Sequence, residues 1–178
     1  MDTPRLTGRP LTEGDIPFVV KVWNDERVTA LVGETMTEQQ VRERIERWSH
    51  HRVIYGCATE LFYDHSTAQP IGWGGLQHSS IGIGERLTIG YAIAPDKWGR
   101  GYATEIALAS MAYAFDQLGA DDVRASILST NTRSRRVAEN VGLSLECEIA
   151  HGRDVEVIYV IDREVWSEGK SRRAARHP

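Results

Sequence analysis

IGYAIAPDKWGRGYATE, residues 89–105, is the stretch whose reading decides the fold. Before Pro95, the residues Leu87, Ile89, Tyr91 and Ile93 alternate with smaller ones, which is the period of a strand. Proline has no N–H to give a sheet ladder, so the strand ends there. After the loop, Ile106, Ala109, Met111, Ala112, Phe115 and Leu118 make one apolar helical face that stops at Gly119. Between strand and helix lies Trp98-Gly99-Arg100-Gly101-Tyr102-Ala103-Thr104.

A helix N-terminus presents unpaired N–H groups and a partial positive charge, so a phosphate binds there readily. Gly99 and Gly101 let the backbone curl until successive N–H groups face one anion. Arg100 either adds charge to that site or is simply solvated. A P-loop would need a Gly-Lys-Ser/Thr ending, which is missing. A dinucleotide fingerprint would need glycine where Thr104 stands and an early place in a parallel βαβ unit. On the loop alone, a glycine-rich turn without any ligand stays open.

Working outward, Arg5 to Leu11 predicts a short strand, and Thr12 with Asp15 predicts the start of a helix carrying Ile16, Val19, Val20 and Trp23 on one face. Thr37 to Gln40 fits a capping box, followed by Val41, Ile45 and Trp48 at helical spacing. Val53 to Tyr63 reads as a strand pairing with Ile71 to His78 across a turn at 64–70, and Gly72, Gly74 and Gly75 predict a bulge or a close backbone approach. IGIGE, 81–85, predicts a second turn. Beyond Gly119, Val123 to Leu128 reads as a strand. Asn131 or Thr132 opens a helix closed by Gly142, and two strands flank a Gly-Arg-Asp turn as a terminal hairpin. Residues 1–167 thus form one mixed α/β domain, and 168–178 read as a basic, unstructured tail.

The composition fits that outline. The 178 residues are 41% hydrophobic and 26% charged with a net charge of −4, which suits one domain with a core and excludes disorder. The mild acidity argues against nucleic acid as a partner, and Arg172, Arg173 and Arg176 in the tail read as solvated. Cys57 and Cys147 lack metal-type spacing and read as free thiols. With no signal peptide and no run of apolar residues long enough for a membrane span, a cytoplasmic protein without membrane partners is expected.

Trp98 to Ala103 resembles the pyrophosphate loop of the GNAT N-acetyltransferases, Gln/Arg-x-x-Gly-x-Gly/Ala: Gly101 and Ala103 match the fourth and sixth positions, and Trp98 replaces the first. The stretch 89–105, followed by Asn131, Ser134 and Glu-Asn-Val-Gly-Leu at 139–143, is similar to the RimJ/RimL-like branch, where Leu143 is usually Phe. That branch includes acetyltransferases of ribosomal-protein N-termini. The resemblance, which covers Arg5 to Trp166, implies a mixed, largely antiparallel sheet of about six or seven strands, splayed between the fourth and fifth and flanked by about four helices. It also implies acetyl-CoA as co-substrate, no metal, an amine acceptor, and allows a homodimer.

Carried over by position, the backbone of Ala92, Ile93 and Ala94 holds the pantetheine arm and the thioester oxygen. Trp98, Gly99, Arg100, Gly101, Tyr102, Ala103 and Thr104 surround the pyrophosphate, and Asn131 and Ser134 meet the pantetheine. Acyl transfer to an amine needs an oxyanion stabilised, a proton removed from the amine, and a donor for the departing thiolate. Many relatives use a tyrosine as that donor. The helix 132–141 has none, so Ser134 is the candidate acid, unless it only satisfies helix N–H groups or no acid is needed. Relatives often carry a glutamate where Thr88 stands. Glu85, His78, Glu60 and Asp154 remain as candidate bases, with Glu85 taken alongside Ser134. If Glu60, Glu85 and Asp154 line the pocket, a cationic small molecule is favoured; an open groove favours a peptide end. Because Thr88 and the missing tyrosine depart from the pattern, a non-catalytic acyl-CoA sensor on the same fold is the alternative.

Overall fold

The structure is a computed structural model that describes residues 1–80, 84–152 and 154–175. Strand β1 (Leu6–Pro10) leads to Thr12, whose N–H and hydroxyl both bond the Asp15 carboxylate, so the expected helix start is a capping box. Helix α1 (Ile16–Trp23) follows, then α2 (Glu26–Val32) and α3 (Glu38–Tyr55), the last opening on the Thr37–Gln40 box. Strands β2 (Thr59–Asp64), β3 (Pro70–Ser80) and β4 (Glu85–Ile93) form a meander. Helix α4 (Tyr102–Asp116), strand β5 (Asp122–Leu128), helix α5 (Thr132–Val141), strands β6 (Ser144–His151) and β7 (Asp154–Asp162), and helix α6 (Arg163–Ala175) complete the chain.

The sheet has seven strands in the order β1-β2-β3-β4-β5-β7-β6, antiparallel except where β4 meets β5. That one parallel contact is Thr88 against Arg124, after which the strands part. The expected splay is there. Helices α4 and α5 cover one face through Leu76, Ile89, Met111, Phe115 and Val123. Helices α1 and α3 cover the other through Val19, Val41, Ile45, Leu61 and Trp73, with Trp23 stacked on Trp73 at 5.9 Å. Each fully buried aliphatic side chain contributes about 1.5–3 kcal/mol, so the two layers fix the sheet's position.

The glycines of β3 serve close approach. A Cβ at Gly74 would lie 2.8 Å from Ile106 Cγ2 and 3.0 Å from Gly90 O, so bare backbone lets α4 and β4 settle on β3.

Four expectations need correction. Residues 53–55 are not strand but the last turn of α3, capped by Gly56 in the left-handed region. Val53 and Ile54 have strand-forming side chains, yet they are 84% and 70% exposed, and the helix carries them because Val41 and Ile45 are buried behind a strong cap. Helix α2 was not foreseen, because seven residues leave almost no periodicity; its markers are Asp25, whose carboxylate accepts the Arg27 N–H, and Gly33. There are six α-helices among the described residues rather than about four. The segment expected as an unstructured tail from 168 is helical as far as Ala175, where Trp166 stacks on Phe115 and anchors the preceding turn. The turn expected at IGIGE falls largely on 81–83 and, like Arg153 and 176–178, lies outside the described residues.

Candidate active site

The loop between β4 and α4 is built from the sequence as read. Gly99 and Gly101 have φ of 75° and 79°, the left-handed region that glycine enters without strain. Gly101 is the N-cap of α4 and no side chain caps that helix, so the N–H groups of its first turn are left for a ligand. A Cβ at Gly99 would meet nothing within 4 Å, so the loop is open there. Two anchors hold it. The Trp98 indole donates to Ile93 O at 2.7 Å, and Arg5 of the neighbouring β1 segment donates to Arg100 O at 3.0 Å while lying over the Tyr102 ring.

Glu105 holds Arg5 in turn, accepting from the Thr3 hydroxyl, the Arg5 N–H and the Arg5 side chain. Burial alone would raise the Glu105 pKa, but these bonds outweigh it and hold the carboxyl below its ordinary value. Tyr102 is 6% exposed and packs between Ile93 and Ile106, with its hydroxyl on Asp64. It is part of the frame.

The parted edge of β4 faces this loop. The Ala94 N–H donates to Ile71 O, toward β3. Strand alternation therefore turns Ala92 toward β3 as well, and turns Tyr91 and Ile93 toward the gap where β5 has left. Of the three residues expected to offer backbone there, Ile93 presents its N–H to the gap, and the N–H groups of Ala92 and Ala94 are used inside the sheet. Tyr91, not foreseen in this role, presents its own.

Helix α5 forms the opposite wall. Asn131 caps it by accepting the Ser134 N–H at 3.1 Å and donates to Leu31 O of α2 at 3.4 Å. Asn131 does the capping, and the Ser134 hydroxyl has no protein hydrogen-bond partner among the described residues. The Tyr91 hydroxyl donates to Ser134 O at 3.3 Å, and burial holds the phenol protonated well above the usual tyrosine range.

These pieces enclose a cavity of about 410 Å³ reached by Tyr91, Ala92, Ile93, residues 97–104, Asn131 and Ser134. Every residue expected at the cofactor site except Ala94 lines it; Ala94 lies buried beneath. Lys97, Arg100, Arg133 and Arg136 contribute four cations and no carboxylate lines the space. Arg133 lies over the Trp98 ring at 4.7 Å. Arg133 and Arg136 escaped the sequence reading because three arginines in TRSRRVAENV look like any solvated helix face. Their signal was position, two and five residues beyond an N-cap that follows a strand.

The second catalytic candidate is not brought to this cavity. Glu85 is the first residue of β4, exposed, with its carboxylate accepting from Tyr55 at 3.3 Å. Eight residues of strand separate it from Ile93, about 26 Å. Glu85 is corrected as a base on that distance. Glu60 accepts from the terminal ammonium of Met1 and from Arg52, and Asp154 begins β7 on the surface; neither lines the cavity. Thr88 is buried with its hydroxyl on Gln77 O.

Comparison with known proteins follows the same lines. Residues 5–144 match the family model described as an acetyltransferase (GNAT) domain. An FsC-acetyl coenzyme A-N(2)-transacetylase of Aspergillus fumigatus is 27% identical over 187 residues, covering 93% of this chain and 77% of that protein. The fold is shared with an acetyltransferase of Agrobacterium tumefaciens (TM-score 0.79, 24% identity, 90% and 92% of the two chains). It is also shared with a spermidine N-acetyltransferase of Vibrio cholerae determined with CoA and spermine (TM-score 0.72, 19% identity, 92% and 98%).

Proposed function

The chain belongs to the GNAT acetyltransferase family and is an acetyl-CoA-dependent N-acetyltransferase, and from that premise we propose that it acetylates a primary amine by direct attack within a ternary complex. The observation that carries this site assignment is the unpaired β4 edge at Tyr91 and Ile93 opening beside the uncapped N-terminus of α4. The first-turn N–H groups from Tyr102 to Thr104 hold the pyrophosphate, and Arg100, Arg133, Arg136 and Lys97 balance its charge and that of the remaining phosphate. The second Nδ2 hydrogen of Asn131 is left for an amide of the pantetheine arm.

At the thioester, the Ile93 N–H donates to the carbonyl oxygen as charge develops on it. The acceptor amine arrives mostly protonated, since a primary amine has a pKa of about 10. With no carboxylate lining the cavity, its proton leaves through water. The Ser134 hydroxyl donates toward the departing sulfur, and its freedom from protein partners supports that role. The resemblance to the RimJ/RimL-like branch keeps protein N-terminal amines among the acceptors beside small molecules. Free thiols at Cys57 and Cys147 support a cytoplasmic setting.

An acetylation screen of peptide N-termini and small amines, read by mass spectrometry with thiol release in parallel, tests the proposal. Acetylated amine with stoichiometric thiol is expected. Tight CoA binding with no product from any amine would contradict it.

A further inference from the structure

A second cavity, about 330 Å³, lies on the α1/α3 face of the sheet, walled by Arg44, Arg47, Trp48, His51, Gln77 and Ser79. Two arginines and no carboxylate line it. Arg47 forms no ion pair with any described carboxylate, and Glu34 comes no nearer to Arg44 than 3.9 Å while remaining 58% exposed. Burial holds the Arg44 guanidinium below its ordinary pKa; Glu34 opposes that shift and Arg47 adds to it. His51 Nε2 accepts the His78 N–H at 2.7 Å and its Nδ1 lies 2.7 Å from Cys57 O, so both ring nitrogens are engaged within the protein. His78 is pushed down by burial and by His51, with Glu85 pulling the other way. Glu85 itself stands outside the cavity against Tyr55.

This cavity is joined to the thioester end of the first by a bare strip of sheet. Gln77 pairs with Thr88, and the Ser79 and Thr88 hydroxyls meet at 2.9 Å, so all three share one face. Ala92, on the same face, packs beside Trp73 and lines the first cavity. Gly90 lies between, exposed in the middle of a central strand, and a Cβ there would meet nothing within 4 Å. Four strand residues from Thr88 to Ala92 span about 13 Å. Arg44, half-buried, lies over the Trp23 ring at 4.7 Å and reaches Glu34 only at 3.9 Å, and the exposed Arg47 has its guanidinium free of any described carboxylate, so both can turn to an anion in the cavity.

We infer that the acceptor is a primary amine carrying an oxyanion group, laid over Gly90 with its amine near Ile93 and the oxyanion between Arg44 and Arg47. The inference rests on the acetyl-transfer reading above. Guanidiniums match the oxygen spacing of a carboxylate or a phosphomonoester. The span of about 13 Å corresponds to roughly four extended residues, so a short peptide bearing either group is a suitable probe.

The experiment compares four acceptors: a tetrapeptide with a free C-terminal carboxylate, the same peptide amidated, the amidated peptide with phosphoserine at its fourth position, and spermidine. One or both oxyanion peptides should exceed the neutral amide in kcat/KM by about tenfold, mostly through KM. Arg47→Gln should bring that ratio near one and Arg47→Glu should reverse it in favour of spermidine. Should none turn over, calorimetry of the same peptides on the CoA-saturated protein gives the ratio instead. Oxyanion and neutral peptides within about twofold of each other, or spermidine preferred by the unmodified protein, would overturn the inference. Loss of acetyl-CoA binding itself would instead indict the acetyl-transfer reading, so the two failures are distinguishable.

Discussion

Gly101→Val tests the phosphate loop at its most constrained point. Gly101 has φ 79°, and an L residue placed there bears about 1–2 kcal/mol of strain, with a β-branched one at the upper end. The nearest foreign atom to a new Cβ is an Arg5 guanidinium nitrogen at 3.5 Å, an ordinary contact, so the effect is conformational and not a collision. At 178 residues, that strain lowers Tm by roughly 2–8 °C. If the residue relaxes instead, the N–H groups at the mouth of α4 turn away from the phosphate. Each charge-assisted hydrogen bond lost costs about 1.5–3 kcal/mol, so KM for acetyl-CoA rises by about tenfold or more. Gly101→Asn is the control, since asparagine tolerates the left-handed region and should stay much nearer the parent in both readouts. Steady-state kinetics at saturating acceptor and a thermal melt suffice. A Val variant with lowered Tm and unchanged KM would refute the loop as the pyrophosphate site.

Other expectations follow from the same contacts. Ser134→Ala should lower kcat by roughly 10–100-fold with little change in KM for acetyl-CoA, and unaltered turnover would remove Ser134 from the mechanism. Gly74→Ala places a methyl 2.8 Å from Ile106 Cγ2, so overpacking of about 1–3 kcal/mol should appear as a lower Tm, and an unchanged melt would show that α4 can shift. Glu105 and Asp15 both have pKa values held below the ordinary range by their hydrogen-bond donors, against the opposing effect of burial. Their stabilisation is present above the unfolded carboxylate pKa, about 4, and is lost as pH falls through the lower folded values. Melts between pH 6 and 3 should show Glu105→Gln with a shallower loss than the parent, and parallel curves would contradict it.

Legibility in the sequence followed the strength of local signals. The strand ending at Pro95, the twin glycines, the Thr37–Gln40 box and the Gly142 cap are short-range patterns with a local physical cause, and each stands where it was expected. The C-terminal turn of α3 misled because Val53, Ile54 and Tyr55 have strand propensity, while the cap eighteen residues away decides the matter. The site was legible wherever backbone carries it. Side chains on the facing walls were not: nothing local distinguishes Arg133 or Arg136 from solvated arginines, or tells that Arg44 and Arg47 line one cavity without a carboxylate in its wall. Glu85 fell out for a related reason, because nearness in sequence to Thr88 said nothing of the length of strand up to the gap.

The role proposed for the β4–α4 loop and the open β4 edge is to hold acetyl-CoA jointly through main-chain donors. Isothermal calorimetry of folded protein with CoA and acetyl-CoA measures this directly, with Gly101→Val as the paired sample. One exothermic site for each ligand is expected in the parent and a markedly weaker one in the variant. Absence of binding in the parent, or equal affinity in both proteins, would contradict it.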